Sequence, residues 1–207
     1  MKLQISFDLT NLTKALEIAK QVEPYADIIE IGSNLIYHQG VKAIAEFKKQ
    51  FPEKEIFADL KLVDKVDEII KIYSEFGANH ISILAGTSNA IIQNASKVCR
   101  SLGIKIALDL IDAYSMGQSA MDAKALDVDT IIFHGPQETT QLTELLEEWQ
   151  NVKGNSTLPI FIAGNINKNN IHKIIPLKPK GIIINGPITN ATEPAKEAEY
   201  FYSLIKK

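Results

Sequence analysis

One cysteine, Cys99, and one arginine, Arg100, occur in 207 residues. A lone cysteine excludes a disulfide framework and metal sites of the Cys/His kind. Set among apolar helical positions, it reads as a buried thiol. A lone arginine nearly removes the planar fork that grips phosphate or carboxylate at two points, so anion recognition falls to backbone N–H groups. A dominant charge of one sign is missing as well. Lysine and arginine number 22 against 25 acidic residues, with no polybasic block and no acidic tail, which argues against nucleic acid as a partner. No apolar run approaches the roughly 20 residues of a membrane span. The opening Met1-Lys2-Leu3-Gln4-Ile5-Ser6 has neither the apolar stretch nor the cleavage site of a signal peptide. The expectation is a cytoplasmic protein with no membrane contact.

What is present is a repeat of pattern. With 45% hydrophobic residues the chain can bury a full core as a single domain over residues 1–207. Leu3–Phe7 reads as a strand, and Leu12, Ala15, Leu16, Ala19 and Val22 then recur at helical spacing, with Asn11 as a cap. Asp27–Gly32 is a second strand, followed by a helix over Val41–Gln50. Strands at Ile56–Ala58, His80–Leu84, Ile104–Leu108, Thr130–Phe133, Leu158–Ala163 and Gly181–Ile184 alternate with further amphipathic segments. Gly77 and Gly103 stop two of those helices. A weaker helix is expected near Gln118–Leu126, a short one near Asn169–Ile175, and a last one from Thr192 to Leu204. Alternation implies a parallel sheet, and eight units imply closure into a (β/α)8 TIM barrel with short loops. An open doubly wound sheet would want a glycine-rich turn after the first strand. That turn is Asp8-Leu9-Thr10-Asn11, without glycine.

A barrel brings the C-terminal ends of all its strands to one mouth, and here those ends are charged. Asp8, Glu30, Asp59, Lys61, Asp109 and His134 are placed to converge, with Asp64 close enough to curl back toward them. Strand alternation puts Asp59 and Lys61 on one face. Singly, Asp8 or Asp109 reads best as the cap of the helix that follows. An acid inside the Ile-rich stretch around Glu30, however, is costly unless paired. Two carboxylates, Glu30 and Asp59, suit Mg2+, which takes few protein oxygens together with water and substrate oxygens. Beside them Lys61 would stabilise an enediolate, and His134 is the natural proton shuttle. Gly164-Asn165 and Gly186-Pro187 fall where barrels often hold phosphate. His38, His80 and His172 lie at helix or strand starts and read as hydrogen-bonded or exposed.

These residues resemble the orotidine-monophosphate-decarboxylase suprafamily over essentially the whole chain. The likeness rests on Asp8 after the first strand, Glu30-Ile31-Gly32 after the second, and Asp59-x-Lys61-x-x-Asp64 after the third. Orotidine monophosphate decarboxylases carry lysine where this chain has Glu30 and use no metal. The Mg2+-dependent branches are the 3-keto-L-gulonate-6-phosphate decarboxylases and the 3-hexulose-6-phosphate synthases. Asp109, the region of Gln137, Ala163 and Pro187 all lean toward the synthases. The resemblance implies an aldol condensation of formaldehyde with the sugar phosphate ribulose 5-phosphate. In it Mg2+ is held by Glu30 and Asp59, Lys61 stabilises the enediolate and His134 moves the proton. It also implies a homodimer in which Asp64 reaches the neighbouring site. Departures from the synthase pattern are Lys65-Val66 after the signature, Gly135 directly after His134, and single rather than paired glycines at the two phosphate turns. Decarboxylation of a keto sugar acid phosphate, or sugar-phosphate binding without turnover, are the competing readings.

Overall fold

The computed structural model of the chain describes residues 1–135 and 142–206. The Leu3, Ile5 and Phe7 side chains of β1 (Lys2–Phe7) lie on its outer face, and Gln4 and Ser6 alternate with them on the inner one. Such strands need cover outside, and the helices between them supply it. The order is α1 (Leu12–Val22), β2 (Ile28–Ile31), α2 (Ser33–Gln39), α3 (Val41–Gln50), β3 (Glu55–Leu62), α4 (Val66–Glu75), β4 (His80–Leu84) and α5 (Asn89–Leu102). It continues with β5 (Lys105–Asp109), α6 (Met116–Ala123), β6 (Thr130–His134), α7 (Leu142–Asn155), β7 (Ile160–Ala163) and α8 (Ile171–Ile174). β8 (Gly181–Ile184), α9 (Gly186–Thr189) and α10 (Pro194–Ile205) complete it. The eight strands form a closed parallel barrel in sequence order, with β1 paired to both β2 and β8.

Two apolar layers result. The larger lies between barrel and helices and holds fully buried Ile44 and Phe47 of α3 beside Phe7. Each such side chain contributes about 1.5–3 kcal/mol by leaving water. The smaller layer is inside the barrel and comprises Ile28, Phe57, Ala107, Ile132, Phe161, Ala163 and Ile183. Cys99 is buried on α5, as its apolar neighbours imply, and burial pushes its thiol up to about 12.

Local signals hold at several ends. Asn11 Oδ1 accepts from Lys14 N and caps α1, and Gly103 closes α5 in the left-handed region. Other expectations need correction. Two short helices, α2 and α9, stand where loop or turn is expected. The segment at Gly186-Pro187 is the first turn of α9, where a proline removes an N–H that no helix carbonyl would have accepted. β3 runs on through the charges to Leu62 instead of handing over at Ala58. The weaker helix α6 begins earlier, at Met116, where Ser115 accepts from Gln118 N.

Candidate active site

The extra length of β3 carries the chemistry. Ala58 pairs with Ile81 and Leu62 with Ile83, so four steps along β3 match two along β4. The surplus is taken up in a bulge, and Lys61 adopts a left-handed backbone at φ 47°. Ladder pairing is lost there, and Ser82 of β4 replaces it. Its buried hydroxyl accepts from Lys61 N at 2.8 Å and donates to Asp59 Oδ1 at 2.8 Å. Asp59 and Lys61 meet on the inner face, as their spacing suggests, while Ala58, Leu60 and Leu62 face the outer layer.

Lys61 Nζ then lies 3.1 Å from Asp59 Oδ1 and 2.8 Å from Asp109 Oδ2, joining β3 to β5. Burial alone would lower the Lys61 pKa, but the two carboxylates outweigh it and the ammonium is held charged. Asp109 is 1% exposed. Burial would raise its pKa, yet His134 and Lys61 prevail and hold its carboxyl below the usual range. His134 Nε2 of β6 sits 2.7 Å from Asp109 Oδ1. The same Asp109 oxygen accepts from Ile111 N at 2.9 Å. Asp109 therefore fastens its own loop, as a capping residue would, while also pairing with Lys61 and His134.

Glu30 arrives from β2. Its Cα partner on β1 is Ser6, and Gln4 lies two residues before Ser6 on the same face. Ser6 Oγ donates to Glu30 Oε1 at 2.6 Å and Gln4 Nε2 donates to Oε2. Even so, burial, and then the negative charge of Asp59, push Glu30 up to about 7. Lys61 offsets only part of that rise.

Asp8 takes a different part from the one expected. It caps α2, not α1, through Asn34 N at 2.7 Å and Asn34 Nδ2 at 2.9 Å. Gly32 makes the approach possible, since a Cβ there would stand 2.6 Å from Asp8 Oδ1. Asp64 does not curl back to pair with Lys61. It is exposed, and its Oδ1 accepts from the adjacent Lys65 N.

A cavity of about 480 Å3 opens at this mouth and is lined by Asp8, Glu30, Asp59, Lys61 and His134. Its far wall is Gly164 and Asn165 after β7 with Gly186 and Pro187 after β8. Gly164 and Asn165 both have positive φ, at 91° and 37°. Asp109 and Asp64 are not among the lining residues. Gln137 lies outside the described residues. Among those described, no group of three or more His, Cys, Asp or Glu is placed to hold a metal. Gln4, Ser6 and Ser82 are supporting residues that a search for charge passes over. Their signal was a polar side chain inside an apolar strand, as in Leu3-Gln4-Ile5-Ser6-Phe7 and His80-Ile81-Ser82-Ile83-Leu84.

A closed parallel barrel whose strand ends gather acids, a lysine, a histidine and glycine turns into one cavity defines a (β/α)8-barrel enzyme. Residues 1–201 match the model of the Orotidine 5'-phosphate decarboxylase / HUMPS family, and the chain belongs to that family. It is 33% identical to the 3-hexulose-6-phosphate synthase of Bacillus subtilis (strain 168), over 99% of each chain. It is 30% identical to that of Staphylococcus aureus (strain bovine RF122 / ET3-1), over 100% of this chain and 99% of the relative. A crystal structure of a 3-hexulose-6-phosphate synthase superposes with a TM-score of 0.91 at 28% identity, covering 99% of this chain and 100% of the other. The resemblance read from the strand-end residues is thus borne out over the full length.

Proposed function

We propose that this chain is a carbon–carbon lyase that condenses formaldehyde with ribulose 5-phosphate to a hexulose 6-phosphate. The observation that carries the reading is Lys61 Nζ held between Asp59 and Asp109, in a cavity whose opposite wall is two glycine turns. Such a site offers one end to the reacting carbons and the other to a phosphate. Family resemblance to the synthases, at Asp109, Ala163 and Pro187, favours aldol chemistry over decarboxylation.

The steps follow from the side chains. The phosphate is gripped by backbone N–H groups around Gly164 and Gly186, since the only arginine pairs with Asp127 elsewhere. His134 takes the proton from C1 of the ketose. The electron pair left behind is delocalised onto the neighbouring oxygen as an enediolate, which Lys61 stabilises through its fixed ammonium. C1 attacks the formaldehyde carbon, a C–C bond forms, and the new alkoxide takes up the proton held on His134. Asp109 orients His134 and Lys61 without reaching the cavity and is a positioning residue. The reverse sequence cleaves the same bond.

The donor set fits Mg2+. Glu30 and Asp59 are two neighbouring carboxylates whose mutual repulsion Lys61 only partly offsets, and Mg2+ completes its shell with water and substrate oxygens. Bound there, it would supply Lewis-acid stabilisation of negative oxygen.

A homodimer with shared sites accords with the exposed apolar side chains of Tyr37, Val63 and Ile111. They follow β2, β3 and β5 on the mouth that also carries Asp64, which turns away from its own cavity.

The test is formaldehyde consumption with ribulose 5-phosphate, with and without Mg2+, beside Asp59→Ala. Metal-dependent consumption that disappears in the variant is expected. A folded wild-type protein that consumes no formaldehyde but releases CO2 from a 3-keto sugar acid phosphate would replace this reading with decarboxylation.

A further inference from the structure

The opposite mouth of the barrel is also open. Barrel interiors are ordinarily filled by layers of side chains, yet a cavity of about 230 Å3 enters this one between the N-terminal ends of the strands. An engineered apolar cavity of about 150 Å3 already holds benzene, so the space is sufficient for one ring. Its walls are Ile28, Phe57, Ile132 and Phe161, all from the inner apolar layer. Gly181 makes room for one of them, since a Cβ there would collide with the Phe161 ring.

The rim is basic. Lys2, Lys105 and Lys180 come from the starts of β1 and β5 and from the residue before β8. Glu55 serves two of them, at 3.1 Å to Lys2 and 3.2 Å to Lys105. It is held down to about 2 because those lysines and His80 outweigh its burial. Asp129 at the same mouth is engaged by Ile106 N. Three ammonium groups thus face two carboxylates, and one positive charge is left over. His80 also lines the space. It is 8% exposed and its ring is stacked on Phe57, with Nε2 making no hydrogen bond and lying 3.4 Å from Glu55 Oε1.

We propose that this N-terminal mouth is a second binding site, for a planar aromatic monocarboxylate. The ring enters among Phe57, Phe161 and Ile132, and the carboxylate stays at the lysine rim. Two phenylalanines favour a flat apolar body. A single excess charge and the absence of an arginine fork suit a monoanion and disfavour a phosphate dianion. The site has its own walls and shares one residue with the catalytic end. Gln4 lines this cavity and donates to Glu30.

Benzoate is the probe, titrated into the intact protein and followed by backbone and methyl NMR shifts. Saturable shifts centred on Phe57, Ile132 and Phe161 are expected. Neutral benzamide should bind about fivefold more weakly, and Lys180→Gln should weaken benzoate by a similar factor, the scale of one exposed charge contact. Ile132→Trp should abolish binding by filling the space, and Lys61→Ala should leave it unchanged. Lys180→Gln and benzamide decide the matter even if Ile132→Trp does not fold. Absence of saturable shifts, equal affinity for benzamide, or shifts that centre on Lys61 and vanish in Lys61→Ala would each overturn the proposal.

Discussion

The hydroxyl of Ser82 accepts the backbone N–H of Lys61 at 2.8 Å, across a bulge that has no ladder partner to offer. The same oxygen donates to Asp59, so one buried serine fixes both the lysine and the acid beside it. Ser82→Ala leaves a backbone donor and a buried carboxylate short of partners. We expect a loss of about 1–3 kcal/mol in stability, measured by urea unfolding, together with a fall in kcat larger than any change in KM.

Lys61 is the counter-charge for Asp59 and Asp109. Lys61→Ala should abolish aldol turnover. It should also destabilise the fold by about 3 kcal/mol, because Asp109 is then an almost fully buried acid left with only His134 and the Ile111 N–H. Comparing thermal unfolding of Lys61→Ala with that of Lys61→Ala/Asp109→Asn checks the cause. The double variant should recover most of the loss.

Glu30 carries the opposite sign of effect. Its carboxyl rises from 4.5 to about 7 on folding, chiefly through burial and then through Asp59. Between those values the unfolded chain releases its proton and the folded one retains it, so stability falls as pH rises from 4.5 toward 7. At pH 8, without divalent cations, Glu30→Gln should be the more stable protein by a few kcal/mol, and inactive. Adding Mg2+ should raise the melting temperature of the wild type and leave Glu30→Gln nearly unmoved.

Glu55 gives the acid limb. Its folded value near 2 lies below the ordinary 4.5, through the Lys2, His80 and Lys105 contacts. The stability it contributes is complete above 4.5 and is lost as pH falls toward 2. Glu55→Gln should flatten that part of the stability profile, with activity at neutral pH unchanged. Circular dichroism at graded pH measures it.

Periodicity made the barrel legible because each helix faces the same apolar layer and each strand alternates across it. It failed at α2, where Ser33–Gln39 buries only Leu35 and Ile36 and is separated from α3 by Gly40 alone. Two turns are too few to display a face. It failed again at the end of β3, where charges that are paired inside the barrel break the apolar run after Ala58 although the strand goes on to Leu62. At the site, Glu30, Asp59, Lys61 and His134 were legible because ionisable groups at apolar strand ends are costly to bury singly and so point to one another. The partner of Asp8 was not, since its contact with Asn34 spans 26 residues and depends on the bare Cα of Gly32.

The offset between Ala58 and Leu62 on β3 and Ile81 and Ile83 on β4 is two residues, an even number. Leu62 therefore returns to the outer layer that Ala58 occupies. Deleting or inserting one residue within 59–61 would turn Leu62 into the barrel lumen and expel a charge toward the helices. A change of length in that segment would reverse the facing of every residue beyond it on β3, whereas a change of side chain leaves the facing of its neighbours intact.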